Sequence, residues 1–155
     1  MGIEIERKFL VRNDSWRGAY SGEKYRQGYL STHLNRTTRV RVAGEKAFIT
    51  IKGRNNGLTR REFEFEIPKD EAEEILRTLC EQPILEKTRY SIDYKGMAWV
   101  IDEFEGENEG LILAEIELTH ENQVIHFPDW IGEEVSSDVR YYNSNLVSNP
   151  FKNWK

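Results

Sequence analysis

Pairs of like charges two residues apart recur along this chain: Glu4 and Glu6, Arg39 and Arg41, Glu62 and Glu64, Lys87 and Arg89, Glu115 and Glu117. Each pair lies in a run where polar and apolar residues alternate, and a period of two marks a β-strand with one face turned to a core. The pattern predicts strands over Ile3–Val11, Lys24–Thr32, Thr37–Ala43, Lys46–Gly53, Arg60–Ile67, Leu85–Tyr94, Met97–Phe104 and Leu111–Thr119. Turn residues separate several of them, at Ala43-Gly44-Glu45, Asn55-Asn56-Gly57, Lys95-Gly96 and Gly106–Gly110. Gly28 interrupts the second strand as a candidate bulge, which leaves the inward parity of Arg26 and Tyr29 open. An open sheet of so many strands would expose two edges; closure into a barrel removes both.

One helix interrupts the strands. In Lys69–Leu79 the apolar residues Ala72, Ile75, Leu76 and Leu79 recur at helical spacing, with Pro68 before the start, Asp70 as the expected N-cap and Pro83 beyond the end. The polar stretch from Asp129 offers Trp130, Val135, Tyr141 and Leu146 as anchors and a short helix near Tyr142–Val147. The fold class expected is mainly β with a few helices: an eight-stranded antiparallel closed β-barrel with helices packed outside.

Any one charged strand face is ordinarily a solvated face. Here, however, the charges segregate by sign within strands, whereas a merely soluble face mixes them. Like charges on one face repel, which calls for ligands that relieve the repulsion. If the apolar faces point outward, the lumen carries Lys8, Arg39, Arg41, Lys52, Arg60, Lys87 and Arg89 together with Glu4, Glu6, Glu62, Glu64, Asp102, Glu115 and Glu117. Burying such ions unpaired would cost several kcal/mol each, and a hydrated tunnel avoids much of that. A polyanion with divalent cations would satisfy both sets. Arg and Lys grip phosphate oxygens through charge-assisted hydrogen bonds, and all-oxygen carboxylate sites suit Mg²⁺ or Mn²⁺.

Composition bounds the rest. A chain of 155 residues suits one domain, 1–155, and its 4 Trp, 7 Tyr and 7 Phe supply a core although 32% of residues are charged. No apolar run is long enough to span a membrane, and the acidic, alternating start does not read as a signal peptide. The single Cys80 permits neither an internal disulfide nor a thiolate cluster, so a reduced cytoplasmic protein is expected. A net charge of −5 argues against nucleic-acid and anionic-membrane partners. His33, His120 and His126 lack ligand spacing and are expected at the surface. Cys80 is expected to be buried and inert, and the Asn13-Asp14-Ser15 and Asn35-Arg36-Thr37 sequons carry no weight without a secretory route.

Glu4-x-Glu6-x-Lys8 resembles the ExExK motif of the CYTH superfamily, the triphosphate tunnel metalloenzymes. The resemblance continues in order through Arg26-Gln27-Gly28-Tyr29-Leu30, Arg39-x-Arg41, Lys52, Glu62-x-Glu64, Glu86-Lys87-Thr88-Arg89-Tyr90, Asp102, Glu115-x-Glu117 and Trp130-x-Gly132-x-Glu134, on to Arg140-Tyr141. It covers essentially the whole chain and resembles the small bacterial members. It implies a triphosphate-binding tunnel barrel. Glu4, Glu6, Glu115 and Glu117 would hold a divalent metal, Mg²⁺ or Mn²⁺. Glu62, Glu64 and Asp102 would support a second metal or the attacking water. Lys8, Arg39, Arg41, Lys52, Arg60, Lys87 and Arg89 would bind phosphates, with Lys8 also counted among the catalytic groups.

Within that resemblance the expected activity is metal-dependent hydrolysis of inorganic triphosphate, with side activity on nucleoside triphosphates. The chain is short and shows no extra aromatic module to hold a base. The alternatives are a class IV adenylate cyclase, a thiamine triphosphatase, in which Tyr29 or Trp99 would line the mouth, and a non-catalytic polyphosphate-binding module. The expected partner is a small polyanion (inorganic triphosphate, ATP or polyphosphate), and the oligomeric state, monomer or homodimer, stays open.

Overall fold

The computed structural model describes residues 2–18 and 20–154. The end residues of the 1–155 unit, Met1 and Lys155, lie outside these. The chain runs β1 (Ile3–Val11), β2 (Gly22–Ser31), β3 (Arg36–Ala43), β4 (Lys46–Gly53), β5 (Thr59–Ile67), α1 (Lys69–Thr78), β6 (Leu85–Tyr94), β7 (Met97–Phe104), β8 (Ile112–Glu117), β9 (Ile131–Glu134) and α2 (Asn143–Ser148), with short 3₁₀ turns between. The strand order is β5-β4-β3-β2-β6-β7-β8-β1-β9, and a β5–β1 pairing closes the first eight into an antiparallel barrel. Alternation therefore predicts the barrel strands to within a few residues at each end.

The closing seam is short. Ile3, Glu4 and Ile5 of β1 pair with β5, and Glu62 N–H donates to the Gly2 carbonyl just before them. Farther along, the same edge of β1 pairs with the four-residue β9 through Phe9 and Val11. Between them, Glu6 N–H donates to the Leu58 carbonyl and Lys8 N–H to the Ser136 hydroxyl, so the backbone edge stays satisfied. The β6–β7 hairpin turns on Lys95 and Gly96 at φ 52° and 78°, the left-handed pair that a two-residue hairpin requires.

Among the described residues, three apolar clusters hold the barrel. Outside, Trp99, Ile101, Ile116 and Phe9 pack beneath Trp16 and Trp130 from the connecting loops. Also outside, Val40, Val42 and Ala47 are covered by Ala72 and Leu76 of α1. The third cluster lies at one end of the lumen: Leu85, Phe104 and Leu113 share the inner face with the charged residues, and Leu146 of α2 and Val135 pack onto them. Helix α1 lies on the outer wall and α2 across this end. Among the described residues no helix is long and apolar enough to cross a membrane.

Two local expectations are corrected. Pro68, not Asp70, precedes the first helical residue, and no side chain caps that end; the Asp70 carboxylate accepts from Glu71 N–H instead. Gly28 is not a bulge. It pairs in register with Val40, and the irregularity falls between Tyr29 and Ser31. A Cβ at Gly28 would lie 2.8 Å from Cys80 Cβ and 3.1 Å from a Leu76 methyl, so the glycine admits the C-terminal end of α1. This fixes the parity of β2: Tyr25, Gln27 and Tyr29 face the lumen, while Arg26 points outward and pairs with Glu73 of α1.

Candidate active site

The lumen is a cavity of about 380 Å³. Its wall includes Glu4, Glu6, Lys8, Arg39, Arg41, Lys52, Arg60, Glu62, Glu64, Lys87, Arg89, Glu115 and Glu117, all of which the alternation places on inner faces. Asp102 is the exception among the expected site residues: it sits in the wall, 1% exposed, covered by two cations. The three histidines are exposed and away from the cavity, and Cys80 is buried under α1.

The deep part of the tunnel is organised around Asp102. Lys87 Nζ donates to its Oδ2 at 2.7 Å, and Arg89 donates through Nε and Nη2 at 2.7 and 2.8 Å. Burial pushes the Asp102 carboxyl up, but Lys87 and Arg89 outweigh it and hold the group far below the usual carboxylate range. For Lys87 burial prevails, helped by Arg89 and Arg41, and lowers the ammonium to about 7 despite Asp102. The two shifts belong to one pair. With Lys87 and Arg89 both hydrogen-bonded to it, Asp102 stays ionised, so the labile proton is that of Lys87. Burial likewise raises Glu115, but Lys8 at 3.5 Å and Arg89 at 3.6 Å bring it down to about 2.

Toward the mouth the balance reverses. Lys52 donates to both oxygens of Glu4, at 3.0 and 3.1 Å, and lies 3.6 Å from Glu62. Glu6 faces Glu117 directly across the β1–β8 ladder. Burial, then Glu115 and Glu4, raise the Glu6 carboxyl to about 8. Burial and Glu4 also raise Glu62 and Glu117. This is a carboxylate cluster short of positive charge, and its hard oxygen donors fit a divalent cation. Among the described residues, no three acids are already gathered into a ligating arrangement.

The cations show the complementary shortage. Arg39 is 8% exposed; Glu64 lies 3.5 Å from its Nη2, but its Nε is buried without a hydrogen-bond partner among the described residues. Its Nη2 donates to Thr50, whose hydroxyl donates in turn to Glu64. Burial, Arg39 and Arg89 together push Arg41 below the ordinary guanidinium range. Buried donors aimed into a cavity without acceptors are what phosphate oxygens complete. Three residues with no charge to announce them also belong to the wall. Tyr25 stacks on both Arg41 and Arg89, at 4.8 and 4.9 Å. Gln27 accepts from Arg41, and Asn143 accepts from Lys87.

Fold and site together define a tunnel barrel built to hold a polyanion beside hard cations. The family profile of the CYTH domain matches residues 2–148, and the chain belongs to the CYTH domain family. Over its full length it is 53% identical to an inorganic triphosphatase of Acetivibrio thermocellus, covering 99% of that protein. A second inorganic triphosphatase, from Nitrosomonas europaea, is 39% identical over 93% of this chain and 96% of its own. A crystal structure of an inorganic triphosphatase superposes with a TM-score of 0.66 at 36% identity, over 92% of this chain and 96% of that one.

Proposed function

We propose that this protein hydrolyses inorganic triphosphate to diphosphate and phosphate with the help of a divalent cation, Mg²⁺ or Mn²⁺. The observation that carries the reading is the segregation of charge inside one cavity: under-neutralised acids toward the mouth and under-satisfied cations deeper in. Two relatives that match nearly end to end carry the name inorganic triphosphatase, which selects this substrate among triphosphates.

Phosphoanhydride cleavage needs the charge of the substrate neutralised, a water held in line and a stabilised leaving phosphate. Arg39, Arg41, Lys87 and Arg89 are preorganised by Thr50, Gln27, Asn143 and Asp102 to bind phosphate oxygens, so little reorganisation accompanies reaction. Lys8, Lys52 and Arg60 extend that set along the wall. Glu4, Glu6, Glu115 and Glu117 would hold the divalent cation, which supplies phosphate-charge neutralisation and polarisation. Glu62 and Glu64 would orient the attacking water. Asp102 works through the cations it fixes. A free Cys80 and the absence of any disulfide need fit the reducing cytoplasm.

The test is phosphate release from inorganic triphosphate, ATP and thiamine triphosphate, each with Mg²⁺, Mn²⁺ or EDTA. Fast, EDTA-sensitive release from inorganic triphosphate above the other two is expected. Cyclic AMP and diphosphate from ATP would assign a cyclase instead, and tight triphosphate binding with no release would assign a binding module.

A further inference from the structure

A chain of hydrogen bonds links two lumen-lining cations through two uncharged side chains. Arg41 Nε donates to Gln27 Oε1 at 3.1 Å. Gln27 Nε2 donates to Asn143 Oδ1 at 3.0 Å. Lys87 Nζ donates to the same Asn143 Oδ1 at 2.8 Å. The direction is fixed by chemistry. Arg and Lys only donate, so the oxygen of each amide must face its cation and the Gln27 amide nitrogen must face Asn143. Neither amide can flip without confronting two donors or losing a partner. Gln27 is fully buried, so a broken bond there finds no water.

The linkage also crosses the fold. Gln27 belongs to β2 and Arg41 to β3, its register partner, while Lys87 belongs to β6 on the other side of β2. Asn143 comes from the start of α2, the element across the lumen's end. We propose that Gln27 and Asn143 are positioning residues that act as one unit, holding Arg41 and Lys87 at a set separation for neighbouring phosphates. The inference rests on the triphosphatase reading for its substrate, but the coupling itself is a property of binding.

The test is a double-mutant cycle with inorganic triphosphate as the probe. Gln27→Leu is close in volume and removes both links of the chain, together with the 3.4 Å bond to the Tyr29 hydroxyl. Asn143→Leu breaks the chain at a half-buried site where folding is less at risk. Each single variant is expected to raise KM about tenfold, the order of one hydrogen bond to a charged group, with a smaller change in kcat. The double variant should fall within about twofold of the worse single; independent contributions would multiply to about a hundredfold. A second readout separates positioning from mere folding. Lys87 faces Asp102, Arg89, Arg41, Glu115 and the Asn143 oxygen. Asn143→Asp adds an anion to that shell and should move the alkaline limb of the KM profile to higher pH, while Asn143→Leu should move it lower. Multiplying effects, or limbs that move together, overturn the proposal. If wild-type protein binds triphosphate without cleaving it, the triphosphatase reading falls and the same cycle is read on Kd. A wild-type protein that neither binds nor cleaves it overturns both.

Discussion

Glu6 illustrates how a single side chain can oppose the fold while serving the site. Its carboxyl lies among Glu4, Glu115 and Glu117 and is held protonated more readily than a carboxyl in water. Removing a charge from such a place ordinarily stabilises a fold. Glu6→Gln is therefore expected to raise the melting temperature of EDTA-treated protein while lowering metal-dependent phosphate release at least about a hundredfold, a barrier higher by about 2.7 kcal/mol. Thermal melts and turnover on the same preparations check both halves; a variant that melts lower and keeps its activity overturns the assignment. Lys87 gives the pH dependence. Its folded value of about 7 lies below the 10.5 of an ordinary lysine. Between those values the unfolded chain carries a proton that the folded state lacks, so through Lys87 stability rises with pH across this window. Anion binding needs the protonated form, so triphosphate affinity should fall as pH rises above about 7, by at most tenfold per pH unit. KM measured from pH 6 to 9 tests this, and Lys87→Arg, which keeps its charge throughout, should flatten the limb.

At the scale of elements, the meeting of β2 with α1 is the most demanding contact. Gly28 lets the Cys80 end of α1 sit against the strand, where an added methyl would approach Cys80 Sγ to 2.9 Å. Both atoms that would collide belong to a packed interface. Gly28→Ala should therefore cost about 1–3 kcal/mol, as overpacking does, read as a lowered denaturant midpoint with KM little changed. A midpoint equal to that of wild type would show that α1 can slide. The same place shows why some structure was legible in the chain and some was not. Strands whose inner residues are charged and outer residues apolar announce themselves by period two. So did the thirteen wall residues and Asp102, because charge on alternate positions is a strong signal. A glycine in a strand signals only that a side chain is absent, and both a bulge and a close neighbour call for that. Ile131–Glu134 has four residues and no alternation, since it exists to complete an edge of β1 rather than to cover a core. Tyr25, Gln27 and Asn143 carry no charge, and their role appears only when β2, β3, β6 and α2 are brought together.

Over the whole molecule, the two charge shortages oppose each other within one cavity. Glu6 and Glu117 are crowded by other acids, Arg41 is crowded by other cations, and Arg39 Nε has no partner among the described residues, so each ligand improves the field for the other. Binding to the folded state alone raises stability by RT ln(1 + [L]/Kd), about 2.7 kcal/mol at a hundred times Kd. Coupling between the sites must also be reciprocal. Mg²⁺ is therefore expected to raise the melting temperature modestly, as is the imido-bridged analogue of triphosphate, whose P–N–P links resist hydrolysis. The two together should raise it by clearly more than the sum. The gain in analogue affinity on adding Mg²⁺ should equal the gain in Mg²⁺ affinity on adding analogue, which paired calorimetric titrations measure. Glu117→Gln should shrink that gain from the metal side and Arg41→Ala from the phosphate side, each leaving the other ligand's separate shift in place. Shifts that merely add would mean that acids and cations serve separate ligands, and the tunnel would then be two sites sharing a wall.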